Sequence, residues 1–229
     1  MNFTKKVVSV AAAAALIAGA GAAAATPASA KLKRVVTGGT VIEVPLALVS
    51  GAAGAGVTIT PIKPALAEAT SDVVGIAFPA QMPKTDGVLP HKGGLSFASA
   101  KTGVTLTFMN PSIEYPTSGG DTAVISGTIG GIPDGNPLAT LNGKPVQLLD
   151  VKNFTVEWKI GKVKKVGKKF EKVLTQTMSG EVFVSSNGLI IDGVNALMGA
   201  PLFTAGMPFG ALDTEWSVKV ICDTAKECK

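Results

Sequence analysis

Histidine and tyrosine occur once each in this chain of 229 residues, and cysteine occurs twice. Acyl transfer by a serine needs a base beside it, and the chain offers only His91, with no Gly-x-Ser-x-Gly elbow to raise a nucleophile. A phosphate-cradling glycine loop and an H-E-x-x-H zinc motif are also missing. Carboxylates are scattered along the chain, so the residues point away from an enzyme and towards a protein that acts by binding. Aromatics are nearly absent from the lysine-rich stretch at residues 159–172, Phe170 excepted, which disfavours specific nucleic-acid recognition by base stacking. After residue 30 no apolar run is long enough to span a bilayer, which takes about 20 residues.

Both cysteines, Cys222 and Cys228, lie in the last eight residues. With no histidine or third cysteine nearby to complete a metal site, they read as a small disulfide loop formed in an oxidising compartment and holding down the C-terminus.

What is present begins with a leader. Lys5 and Lys6 precede an apolar, alanine-rich run from Val7 to Ala25, followed by Thr26-Pro27-Ala28-Ser29-Ala30. A positive end, an apolar centre and small residues before the cut are the order of a secretory signal peptide, with cleavage expected after Ala30. Residues 31–229 then form a single β-rich domain, secreted, extracellular or cell-wall associated, with no membrane span left after cleavage.

Strand periodicity dominates that remainder. Val104, Leu106 and Phe108 alternate with threonines, Ala123, Ile125 and Ile129 with polar residues, and Phe154, Val156, Trp158 and Ile160 share one face of a further run. Trp216, Val218 and Val220 repeat the pattern near the end. Turn signals such as Asp86-Gly87, Gly93-Gly94, Asn142-Gly143 and Asn187-Gly188 stand between them. The reading is all-β: an antiparallel β-sandwich or strongly twisted sheet with long hairpins and one or two short helices. The helices are expected at about Pro45 to Ala53 and at Val194 to Met198, the second capped by Asp192. Gly39-Thr40-Val41-Ile42 and Gly188-Leu189-Ile190-Ile191 form a faint internal echo, each leading into a helix.

The whole chain carries a formal charge of +5, and its basic character is concentrated. Between residues 159 and 172, Lys159, Lys162, Lys164, Lys165, Lys168, Lys169 and Lys172 stand against the single acid Glu171, a local charge of +6. They fall at the tip of a hairpin expected over about residues 150–184. Such lysines keep an exposed edge soluble, or attract anionic surfaces such as wall polymers. His91 reads as a polar loop residue, or as a ligand or a donor that orients one. Tyr115 reads as a strand-end packing residue or as a phenolate ligand for haem iron.

Several segments together resemble the secreted HtaA-domain-like proteins of actinobacteria. They are Val36-Thr37-Gly38-Gly39-Thr40, Gly56-Val57-Thr58-Ile59-Thr60-Pro61-Ile62, Phe78-Pro79, His91-Lys92-Gly93-Gly94-Leu95-Ser96-Phe97, and the stretch from Val194 through Leu202-Phe203 to Gly206-Met207-Pro208-Phe209-Gly210. The resemblance implies a secreted β-rich module of the cell envelope, with haem binding and haem uptake in characterised members. In those members a tyrosine holds the iron and a histidine later in the chain supports it by a hydrogen bond. Here His91 matches the histidine, and Tyr115 follows it instead of preceding it.

Two readings of function result. One is a non-catalytic envelope module that acts by binding, haem being the ligand the resemblance names. The alternative is a structural or adhesive wall-associated protein held to anionic polymers by its lysine-rich hairpin. For the exported chain, N-terminal sequencing is expected to start at Lys31, whereas a retained Met1 would show an uncut leader.

Overall fold

A computed structural model describes residues 33–228, so the leader read over residues 1–30 lies outside the described residues. In chain order the elements are β1 (Lys33–Pro45), α1 (Leu46–Gly54), β2 (Val57–Ile62), β3 (Leu66–Ala69), β4 (Val73–Pro79), β5 (Val88–Pro90), β6 (Gly94–Ser99) and β7 (Thr105–Glu114). They continue with β8 (Thr122–Gly130), a 3-10 turn at Ala139–Leu141, β9 (Pro145–Ile160), β10 (Lys164–Val166), β11 (Lys169–Val184), α2 (Gly188–Met198) and β12 (Pro208–Cys222).

All the strands join one sheet in the order β2-β6-β7-β8-β9-β11-β12-β1-β4-β3, with β5 on β7 and β10 on β11. Every ladder is antiparallel. The first and last strands of the path, β2 and β3, are consecutive in the chain and touch without forming a ladder. The sheet has therefore curled into a nearly closed barrel with one seam. The residual edge at β3 is short, four residues long and exposed throughout, and shortness is a common way of blunting an edge.

The alternation read from the sequence explains which side faces in. Along β8, Ala123, Ile125 and Ile129 are buried while their neighbours are not. Along β12, Leu212, Thr214, Trp216 and Val218 are buried in the same manner. These rows meet Ile42, Phe78, Leu89, Ile113, Phe154 and Met178 in the main core. A second cluster forms where α2 lays Val194, Leu197 and Met198 against Leu106, Ile129 and Val146.

The helices differ in detail from the sequence reading. α1 starts at Leu46 because Pro45 keeps an extended conformation (φ −53°, ψ 132°) as the flanking residue. α2 begins at Gly188, six residues earlier than expected, and Asp192 lies inside it instead of capping it. The physical reason is that Ile191, Val194, Leu197 and Met198 make one buried helical stripe, so the β-branched residues after Gly188 serve a helix. The Gly39 and Gly188 segments thus adopt different structures, strand and helix, and the echo between them is not structural. α2 stops at Gly199, which takes the left-handed conformation at φ 65°. Its last carbonyls are satisfied from the β6–β7 turn: Thr102 Oγ1 donates to Leu197, Ser99 Oγ to Met198 and Lys101 Nζ to Gly199, at 2.7–2.8 Å.

Cys222 and Cys228 are bonded to each other, with their Cα atoms 5.7 Å apart, closing a loop just past the end of β12.

β1 has ladder partners on both sides, and two adjacent glycines allow this. A Cβ on Gly38 (φ +92°) would lie 2.2 Å from the Glu215 carbonyl oxygen of β12, and one on Gly39 would lie 2.3 Å from the Phe78 carbonyl oxygen of β4. Gly38→Ala is therefore expected to cost about 1–3 kcal/mol or more in a urea titration, through both strain and backbone clash. Gly51→Ala on α1, where a Cβ meets nothing within 4 Å, should instead be neutral or stabilising by about 0.5–1 kcal/mol.

Candidate functional site

His91 sits just after β5, and the structure corrects its reading as a loop residue: it is 1% exposed. It is drawn inside because its backbone bridges β4 and β7. Its N–H donates to the Pro111 carbonyl at 2.8 Å, and the following N–H of Lys92 donates to Pro79 at 3.0 Å. The ring is tied at both ends. Nδ1 lies 3.2 Å from the Pro111 carbonyl, and Nε2 lies 2.7 Å from Thr40 Oγ1, which is itself 2.7 Å from Thr214 Oγ1.

A carbonyl can only accept, so Nδ1 carries the proton. The order of the chain follows: Thr214 donates to Thr40, Thr40 donates to Nε2, and Nδ1 donates to Pro111. The ring is neutral in this arrangement. Burial removes the hydration an imidazolium would need and pulls its pKa from 6.5 down to about 4, against a smaller upward pull from the Pro111 carbonyl.

Tyr115, directly after β7, belongs to a separate network. Its hydroxyl accepts from Gln176 Nε2 at 3.1 Å, and Gln176 Oε1 accepts from Trp216 Nε1 at 2.6 Å. Gln176 is fully buried, and the Tyr115 ring packs on Phe154 at 5.8 Å. The two networks share no residue, so the structure does not join His91 and Tyr115 in one hydrogen-bonded site.

A different feature has the shape of a binding site. At the seam, α1 packs against β1, β2 and β4 and covers an apolar cavity of about 300 Å³. Its walls include Leu48 and Ala52 of α1, Ile59 of β2, Ala67 of β3, Leu95 and Phe97 of β6, and Phe203 and Phe209 from the α2–β12 connection and the start of β12. Ala47, Gly51, Ala67 and Pro201 are lining residues that are also exposed, which places the mouth between α1, β3 and that connection. Towards the core a narrower apolar space of about 80 Å³ shares Ile76, Leu95, Phe97, Phe203 and Phe209 with it.

The aromatic wall is held by one side chain. Asn195 of α2 donates from Nδ2 to the Phe203 carbonyl at 2.6 Å and accepts from the Phe203 N–H at 3.0 Å. That clamp presents Phe203 edge-on to Phe97 and tilted against Phe209, each with centroids 6.3 Å apart. Sequence reasoning did not assemble these residues: Leu48, Ala67, Phe97 and Phe203 come from four distant segments with no common period. Asn195 eight residues before Phe203 was the one local signal available.

The seven lysines of the basic segment lie along β9, β10, β11 and their connections. Lys159, Lys162, Lys164, Lys165, Lys168 and Lys169 are exposed and Lys172 is half-buried. Lys169 pairs with Asp223.

The neutral state of His91 has a consequence for acid stability. Its folded pKa lies below its unfolded one, so the unfolded chain takes up the proton first. The stabilisation is complete above about pH 6.5 and is lost as pH falls towards 4. Urea midpoints should fall across this window by on the order of 3 kcal/mol in ΔG. In His91→Gln the fall between pH 6.5 and 5 should flatten, even where the variant is less stable overall.

No family model and no curated protein matches the chain. Among solved structures, it is similar to the haem-binding protein HtaB from Corynebacterium glutamicum, at 11% identity and a TM-score of 0.46, over 83% of this chain and 98% of that one. It is also similar to the C-terminal domain of HtaA from Corynebacterium glutamicum, at 10% identity and a TM-score of 0.42, over 81% of this chain and 99% of that one.

Proposed function

We propose that this chain is an exported, non-catalytic module of the cell envelope that binds an apolar ligand in the cavity beneath α1. The leader motif supports the compartment. The commitment of His91, the chain's one histidine, to a buried neutral hydrogen-bond chain supports the non-catalytic reading. The observation that carries the proposal is the cavity itself: about 300 Å³, walled by aliphatic and phenylalanine side chains, and placed at the one interruption of the ladder path. Pre-formed concave sites of this size and lining are where small apolar molecules bind.

Haem is the specific candidate, named by the sequence resemblance and, for HtaB, by that protein's own name. The residues present suit the macrocycle and not the iron. Walls such as Leu48, Ile59, Leu95 and Phe203 would suit an apolar ring, whereas among the described residues no histidine, tyrosine, cysteine, methionine or lysine lines either apolar space. A haem in this cavity would therefore be held by contacts to its ring.

Titration of the chain from Lys31 onward with haemin, followed at the Soret band, and with an anilinonaphthalene fluorophore tests the reading. Saturable binding is expected, weakened at least about tenfold by Ala67→Trp at the mouth and unaffected by Tyr115→Phe. A Soret shift that survives Ala67→Trp and disappears in Tyr115→Phe would place the ligand elsewhere and overturn the proposal, as would no binding of either probe.

A further inference from the structure

The hairpin of β9 and β11 outruns the core it helps to build. On its inward row Val156 faces Met178, Trp158 faces Gln176 and Ile160 faces Leu174. Met178 and Gln176 are sealed inside the barrel. Across the ladder, Trp158, level with the buried Gln176, is 55% exposed, and Ile160, two residues further along β9, is 65% exposed. Trp158 is nevertheless held, standing edge-on to the buried Trp216 with centroids 6.0 Å apart. Val166 on β10, Val173 on β11 and Val35 on β1 are exposed too, but the register places them on the opposite face of the sheet, so the patch proper is Trp158 and Ile160.

Lysines border that patch: Lys165 and Lys172 share the face of Trp158 and Ile160, Lys159 and Lys164 stand on the other face, and Lys162 and Lys168 lie in the connections. Among the described residues the ion pairs here are Lys169 with Asp223 and Glu171 with Lys219. Lys159, Lys162, Lys164, Lys165, Lys168 and Lys172 have no acidic partner among the described residues. The turn itself is Gly167-Lys168, with Gly167 at φ 61°, so the outermost residues are also basic.

We propose that this end of the hairpin docks on an anionic lipid bilayer, with Trp158 and Ile160 entering the interface and the lysines meeting headgroup phosphates. A hydrated polyanion would satisfy the lysines and leave a tryptophan and an isoleucine against water. A bilayer surface satisfies both: tryptophan favours the headgroup level, lysine stems lie along apolar surface with the ammonium outward, and anionic leaflets attract basic clusters. Stable attachment to a surface takes two signals, and here apolar insertion and charge coincide on one rigid element. A second copy of this chain is a poor occupant, since two patches with a local charge of +6 would repel.

The test is co-sedimentation of the chain from Lys31 onward with vesicles of phosphatidylcholine alone or with added phosphatidylglycerol. Tryptophan emission is recorded in parallel, with and without brominated acyl chains. Because Trp216 is buried, a blue shift and bromine quenching in the unmodified chain report on Trp158. The expected result is binding only where phosphatidylglycerol is present, with quenching. The paired change Trp158→Ser and Ile160→Ser should weaken binding about tenfold or more, as should replacing Lys162, Lys165, Lys168 and Lys172 by glutamine. No binding to either vesicle would overturn the proposal. So would binding without quenching that the Ser pair leaves unchanged, which would indicate charge alone and favour an anionic polymer.

Discussion

A β-sheet carries two edges of unpaired backbone groups, and in this protein the path of strands brings those edges together. β2 and β3 are separated by only residues 63–65, yet they are the opposite ends of the ladder order. That short link forces the sheet to curl, and the curl creates the interior in which the inward rows are buried, apart from the end of β9 at Trp158 and Ile160. It also leaves one line without ladder hydrogen bonds. α1 covers that line with small residues, chiefly alanine and glycine, and the space beneath it stays partly empty. The candidate binding site is thus a by-product of how the barrel closes.

The interior has to accommodate polar groups, and it does so by pairing each of them. Thr214, Thr40 and His91 form one directed chain ending on the Pro111 carbonyl, and Trp216, Gln176 and Tyr115 form another. Buried side-chain nitrogens and oxygens without a partner are absent among the described residues. Leaving one such group unpaired costs about 1–3 kcal/mol, which is why these side chains act as fixed parts of the core. The first chain ties β12, β1 and β7 together across the barrel, and the second ties β7, β11 and β12.

Much of this was legible in the residues. Ala123, Ile125 and Ile129, or Trp216 and Val218, show their face because a strand repeats every two residues and the barrel has a dry side. The Cys222–Cys228 pairing was legible because no other partner exists. Alternation reveals a face but not a depth, and so it could not tell that Trp158 and Ile160 lie beyond the end of the core while Phe154 lies within it. Nor could residue type tell that His91 is sealed inside, since the bonds that draw it in come from Thr40 and Pro111, distant in sequence. At Asp192 a residue suited to capping sat inside a helix whose buried stripe had already begun at Ile191. The cavity was out of reach for a related reason: Leu48, Ile59, Leu95 and Phe203 meet only once the sheet has closed.

The central claim is that the seam holds largely apolar space open to a small ligand, and xenon tests it without presupposing a ligand, because it enters apolar cavities. In methyl-resolved NMR under xenon pressure, the methyl groups of Leu48, Ile59, Ile76 and Leu95 should shift, while those of Leu189, exposed on α2, stay in place. An unchanged spectrum, or shifts centred away from α1, would contradict the account.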